Sequence, residues 1–245
     1  MSTINTYFDN LKALLERTLS TQQDAMETAA VKIAECLKKG GMVYTFGTGH
    51  GHLLALEIFY RAGGMARICP IMDEKLMLHI SAAGSTLEER NEDWVPTLLE
   101  RYPIKENDVL ISISNSGRNA VPVLLAKEAK ARGAYVIALT SMNHTTAVTS
   151  RNRLNLRLFE VADLILDNGG VLGDAAVSFA DGAMVGATST AVGAAMLQAI
   201  VCRVKELSLE EGFEADFYKS SNVDGGDAWN NRLIEQYKDT IPGLL

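Results

Sequence analysis

Val109-Leu110-Ile111-Ser112-Ile113-Ser114-Asn115-Ser116-Gly117-Arg118-Asn119 passes from apolar to polar within a few residues. Residues 109–113 are nearly continuous in apolar character, so they predict a strand covered on both faces. After it, Ser114 and Ser116 place two hydroxyls at the strand's end, Gly117 permits a sharp turn, and a helical pattern begins near Asn119. A strand that runs through a hydroxyl-rich turn into a helix is the building unit of an open α/β sheet, whose ligands bind outside the carboxyl ends of the strands.

The same alternation extends in both directions. Strands are expected at residues 42–46, 66–71, 109–113, 135–139 and 164–166, and helices at 53–62, 86–101, 120–132 and 183–207. This pattern predicts an α/β, doubly wound five-stranded parallel sheet. Upstream, Ile4, Tyr7, Leu11, Leu14, Leu15 and Leu19 recur at helical spacing, as do Met26, Ala29, Ala30, Ile33, Ala34 and Leu37. They predict two amphipathic helices, the second ended by Gly40-Gly41. From Gly212 the chain turns polar and aromatic, with a helix expected at 227–238. The expected organisation is one domain over residues 1–245: a helical extension at 1–40, an α/β core at 41–210 and an arm at 211–245. The polar run Ser220-Ser221-Asn222-Val223-Asp224-Gly225-Gly226 in that arm is expected to reach toward a site, its own or a neighbour's.

The 245 residues are 47% apolar and 22% charged, ordinary globular usage. A net charge of −7 gives no attraction to nucleic acid or to an anionic membrane, so a small-molecule partner is expected. Cys36, Cys69 and Cys202 lie far apart, which offers neither a disulfide framework nor zinc spacing. A reducing, cytoplasmic setting is expected, with no metal and no cofactor. Asp9, Lys12, Glu16 and Arg17 interrupt the first twenty residues, so no signal peptide is expected. The uncharged stretch 182–202 is long enough to span a bilayer, but its Thr188, Ser189, Thr190 and Gln198 predict a buried helix instead.

A second loop carries chemistry. Gly47-Thr48-Gly49-His50-Gly51-His52 follows the first strand and precedes a helix, so its backbone can approach a ligand and the helix start offers unpaired N–H groups. It has neither the Walker spacing nor the dinucleotide Gly-x-Gly-x-x-Gly spacing. Together the two loops suit a phosphate monoester, with Gly47, Thr48, Gly49, Ser114, Asn115, Ser116, Gly117 and Asn119 as candidate contacts. The competing reading is that Ser116 or Asn119 merely caps the following helix.

The Ser-x-Ser-Gly-x-Asn run at 114–119 resembles the Ser-x-Ser-Gly-x-Thr signature of sugar isomerase (SIS) domains, with Asn119 in the usual threonine position. The first loop resembles their Gly-x-Gly turn, with His50 and Gly51 where a small hydroxyl residue is commoner. The resemblance covers roughly residues 30–207. It implies strand order 2-1-3-4-5, a phosphosugar ligand, and a homodimer or homotetramer with its sites near subunit contacts.

Two branches of that family bear on the chemistry. Phosphoheptose isomerases carry a histidine and then a glutamate one turn apart on the helix after the first loop, where this chain has Glu57 and Arg61. Of the histidine and glutamine in their last large helix only Gln198 has a counterpart, so no zinc site carries over. Glu89-Arg90-Asn91-Glu92-Asp93 resembles the Glu-x-x-Glu-Asp run of the etherase that removes lactate from phosphorylated N-acetylmuramic acid. Gly186-Ala187-Thr188 followed by Gly193 resembles that enzyme's late Gly-Ser-Thr segment, without its basic residues.

Isomerisation and ether elimination both begin by removing a proton next to a carbonyl, which needs a carboxylate or imidazole base and a donor for the developing oxyanion. Aldose–ketose isomerisation is the first expectation, with Glu57 as candidate base and His50 or His52 as partner acid; elimination, with Glu89 as base, is the alternative. Plainer readings stand beside them: Glu57 paired with Arg61 at i,i+4, Glu89 on a solvated helix face, His79 in the core and His144 in an ordinary loop. SIS domains also serve as sensors that bind a phosphosugar unchanged, and no helix-turn-helix segment accompanies this one.

Overall fold

Successive residues of each central strand point into two different cores. Val43, Ile111 and Ile137 enter one, and Tyr44, Leu110 and Val136 enter the other. The computed structural model, which describes residues 2–245, arranges these strands as a five-stranded parallel sheet. In chain order they are β1 (Val43–Gly47), β2 (Ile68–Ile71), β3 (Val109–Ile113), β4 (Tyr135–Thr140) and β5 (Leu164–Asp167). Their order across the sheet is β2-β1-β3-β4-β5, the order that the resemblance implies.

Helices cover both faces. On one side lie α1 (Thr3–Lys38), α2 (Gly51–Glu57) and, at the far end of the chain, a 22-residue helix at Ser189–Glu210. After α2 come α3 (Ala82–Glu88), α4 (Trp94–Arg101) and α5 (Ala120–Ala131), of which α4 and α5 cover the opposite side. Two single-turn helices, α6 (Met142–Thr145) and α7 (Leu158–Val161), flank the β4–β5 connection, and the late helices are α8 (Ser189–Glu210) and α9 (Gly226–Tyr237). No helix among the described residues is long and apolar enough to cross a membrane.

Several expectations need correction. The first forty residues form one helix, not two. Residues 20–25 contain no glycine or proline to break the helix, and the partly buried Gln22 and Ala25 keep it on the core, Gln22 Oε1 accepting from the Asp167 N–H at 2.9 Å. The helix expected at 86–101 is two, because Pro96 fits only the first turn of a helix and so forces a new start at Trp94. The helix expected at 53–62 ends at Glu57, and Tyr60 follows in the left-handed region.

Residues 183–187, expected as helix, belong to an antiparallel hairpin of β6 (Ala175–Ser178) and β7 (Met184–Ala187) turned at Asp181-Gly182. Gly182 has φ +86°, and an Asp-Gly turn is a hairpin signal that the surrounding apolar composition masked. The C-terminal arm packs away from the loops that carry chemistry: Phe217 bridges to Met65, and Tyr218 and Leu233 bury against Ala66 beside the amino end of β2. It does not reach the site of its own chain.

A continuous α1 makes a testable demand. Gln23 is exposed in the middle of it, so Gln23→Ala is expected to be nearly neutral, whereas Gln23→Pro is expected to cost about 3 kcal/mol or more in urea unfolding. A break between two separate helices at that point would tolerate the proline.

Candidate functional site

Chain reversal between β1 and β3 opens a crevice at the carboxyl ends of those strands. Gly47 sits level with Ile113 in the parallel register, so the loops 47–52 and 114–119 leave the sheet side by side. Gly47 has no room for a side chain: a Cβ there would lie 2.3 Å from the backbone carbonyl carbon of Gly51. Gly117 has φ +56°, the left-handed turn that brings the second loop round into α5.

Between the loops lies a cavity of about 580 Å³. The first loop lines it with Thr48, Gly49, His50 and Gly51, and the second with Ser114, Asn115 and Ser116. Ser114 Oγ accepts from the Gly117 N–H at 3.2 Å, which folds the turn. Asn115 is oriented by Asn168, whose Nδ2 donates to its Oδ1 at 2.9 Å. The N–H groups of Asn115 and Ser116 and the Ser116 hydroxyl have no partner among the described residues, so three donors remain for a ligand.

Glu89 also lines the cavity and ties the two loops together. Its carboxylate accepts from Thr48 Oγ1 at 2.6 Å and from Asn119 Nδ2 at 2.5 Å. Burial raises its pKa above the ordinary carboxylate value, while the Thr48 bond, the charges of Arg90 and Arg151 and the Asn119 bond pull the other way. The far end of the cavity is built by the hairpin and the start of α8. Asp174, in the left-handed region at φ +64°, accepts from the N–H groups of Thr188 and Ser189 at 3.2 and 2.9 Å and from Ser189 Oγ at 2.5 Å. His144 also faces the cavity; burial lowers its pKa against a smaller opposing effect of Asp174, and its buried Nδ1 has no partner among the described residues.

The candidate residues therefore divide. Thr48, Gly49, His50, Glu89, Ser114, Asn115 and Ser116 meet around one cavity. Gly47 and Gly117 shape its loops without lining it. Asn119 stands at the start of α5 but makes no capping bond; its amide holds Glu89. His52 is buried, with Nδ1 2.7 Å from the Gly49 carbonyl oxygen. Glu57 lies outside the lining, 3.0 Å from Arg61 and 3.2 Å from the Nε2 donor of Gln198. His79, read as a core residue, is exposed, and Glu89, read alternatively as a solvated face, is partly buried. The sequence reading missed His144, Asn168, Asp174 and Ser189. Only the paired Asn168-Gly169-Gly170 after β5 offered a signal, as another turn at a strand's carboxyl end. Among the described residues no three His, Cys, Asp or Glu side chains converge as metal ligands.

A family model described as the SIS domain matches residues 6–141. A UPF0309 protein of Geobacillus thermodenitrificans is 40% identical over 243 residues, 99% of this chain and 98% of that one. A UPF0309 protein of Listeria monocytogenes is 40% identical over 242 residues, 98% of each. Among solved structures, the phosphoheptose isomerase GmhA of Neisseria gonorrhoeae superposes with a TM-score of 0.57 at 15% identity, over 83% of this chain and 97% of that one. The Vibrio vulnificus NanR protein complexed with ManNAc-6P gives 0.54 at 15%, over 98% and 69%. At such identities the two structures establish a shared fold.

The raised Glu89 pKa sets a stability signature. The folded state holds this proton more tightly than the unfolded chain, so that contribution is fully present below the unfolded-state pKa and is lost as pH rises through the folded one. Glu89→Gln removes the dependence, and the unpartnered Asn119 Oδ1 lets that amide turn to meet the glutamine. The variant is expected to gain stability relative to wild type as pH rises from about 4 toward neutrality. Urea titrations across that range check it, and a pH-independent difference would contradict it.

Proposed function

The chain belongs to the SIS domain family, and on that premise we propose that it binds a phosphosugar in this cavity and transfers a proton at the carbon beside the sugar's carbonyl. One juxtaposition carries the reading: the free amides of Asn115 and Ser116, the Ser116 hydroxyl and the Glu89 carboxyl line one cavity. The donors suit a phosphate dianion, and they do so without any cationic side chain among the lining residues. A carboxyl lifted by burial is closer to the pH at which it must exchange a proton. His50, on the same lining, is the partner acid.

Elimination is favoured over isomerisation by the position of the two glutamates. The residue in the isomerase position, Glu57, faces Arg61 and Gln198 outside the lining, whereas the base that does line the cavity opens the run 89–93 that resembles the etherase. Aldose–ketose isomerisation with Glu89 as base is the second reading, since it begins with the same proton abstraction. Glu57 then acts in both cases as the tie between α2 and α8.

Self-association is part of the proposal. The apolar faces of α1 and α8 cover each other within one chain, so a second copy would meet what they leave exposed: Ile4 and Phe8 of α1 beside Phe179 and Val185 of the hairpin. Sedimentation velocity at micromolar concentration is expected to show a dimer or larger, and a monomer would remove this part.

A thermal-shift panel of sugar phosphates identifies ligands by mass action. Ser116→Ala is expected to weaken the best of them by about 1–3 kcal/mol, the scale of a hydrogen bond to a charged group. Glu89→Gln is expected to bind but to turn over about 10²–10⁴-fold more slowly, while Glu57→Gln keeps its turnover. Solvent deuterium entering the sugar carbon next to the carbonyl marks proton abstraction, and release of a hydroxy acid marks elimination. A bound phosphosugar showing neither exchange nor product would make the protein a sensor.

A further inference from the structure

The cavity is lined by no lysine or arginine, yet three arginines gather beside it. Arg118 leaves the second ligand loop, and its guanidinium donates to the Thr149 carbonyl at 2.7 Å and to Thr149 Oγ1 at 3.2 Å. Arg151 runs alongside: its N–H donates to the Arg118 carbonyl at 2.8 Å, and it forms a parallel bridge with Asn119. Arg90 follows Glu89, whose carbonyl accepts from the Val121 N–H at 3.0 Å and whose carboxylate holds Asn119. All three arginines thus leave one knot of backbone at the amino end of α5. They lie close enough that Arg151 and Arg90, after burial, hold the Arg118 pKa below its ordinary value.

Arg90 and Arg151 are unlike the other ten arginines of the chain. They are the two whose side chains make no hydrogen bond and no ion pair among the described residues. The three glutamates of the run beside Arg90 are engaged elsewhere. Glu88 accepts from Trp94 Nε1, Glu92 pairs with Arg153, and Glu89 is held between Thr48 and Asn119. A chain with a net charge of −7 has acidic residues to spare, so leaving three cations together costs repulsion that a bound anion would relieve.

We propose that Arg90, Arg118 and Arg151 form an anion site, separate from the cavity, that takes a phosphate group. Guanidinium forks match phosphate oxygens in pairs, and a tetrahedral dianion presents enough oxygens to engage all three where a carboxylate does not. The dipole of α5 adds to the same field. The phosphate is either a free anion or the second phosphate of a ligand whose first lies in the cavity. The site stands independently of the sugar chemistry proposed above.

Calorimetric titration with inorganic phosphate, chloride-balanced to constant ionic strength, tests it. Wild type is expected to take up phosphate at two kinds of site. Arg90→Ala with Arg151→Ala is expected to lose one of them, weakened about 10- to 100-fold, while Ser116→Ala weakens the other. An arginine variant that titrates like wild type overturns the proposal. If Ser116→Ala alone titrates like wild type, the arginine site stands and the cavity reading fails.

Fructose 1,6-bisphosphate separates the two sources. A tighter fit than inorganic phosphate that either variant abolishes marks one bridging ligand, and independent losses mark a free anion. Both substituted side chains are exposed and unbonded, so the arginine variant is expected to melt at the same temperature or higher in phosphate-free, low-salt buffer. A lower melting temperature there would assign the arginines a structural role instead.

Discussion

The Glu89 carboxylate spans two segments that the chain keeps 41 and 30 residues away from it, accepting from Thr48 of the first loop and Asn119 of the second. The ladder between β1 and β3 ends at Gly47 and Ile113, and past it the second loop is tied to β4 and the turn after it: the Ser114 N–H donates to the Leu139 carbonyl, and the Asn115 carbonyl accepts from Thr140 Oγ1 and the Ser141 N–H. The Glu89 carboxylate adds a tie between the two loops themselves, with the Val121 N–H anchoring the Glu89 backbone to α5. A partly buried carboxylate needs hydrogen-bond partners, and two charge-assisted hydrogen bonds supply them. That bridge joins the two loops at the wall of the cavity they line.

The same bridge explains why part of the site was legible in the sequence and part was not. The sheet was readable because each central strand is buried on both faces, which leaves near-continuous apolar runs such as 109–113. Its two ligand loops were readable because close backbone approach at Gly47 and a left-handed turn at Gly117 admit little but glycine. Glu89 stood out only through its resemblance to a motif, because a charge run at 88–93 looks the same whether it faces water or a cavity. Asn119 was read by its place at a helix start, where capping and ligand contact are the usual roles. Its actual partner is a side chain 30 residues away, and local pattern carries no trace of such a pair.

The misread elements share a cause. Apolar composition without charge at 182–202 fits a buried helix and a hairpin equally well, and only the Asp181-Gly182 turn tells them apart. That hairpin brings Asp174 and the start of α8 to the cavity, so misreading it concealed Asp174 and Ser189 together. His144 was hidden for a different reason: the single turn of α6 is too short to show a periodicity, and its place is set by Ser141 capping the turn at the carboxyl end of β4.

The distribution of charge gives the last step. On the proposed function, affinity for a dianion would rest on oriented N–H groups and hydroxyls, which need no counter-charge and add no field that would pin Glu89 in its ionised form. A lysine at the same place would hold phosphate more strongly but would also drive the carboxyl's pKa down, away from proton exchange near neutrality. Arg90 and Arg151, neither of which lines the cavity, do lower it, but burial is the larger effect. A lining without lysine or arginine would let one small volume contain both an anion's donors and the carboxyl proposed to exchange its proton.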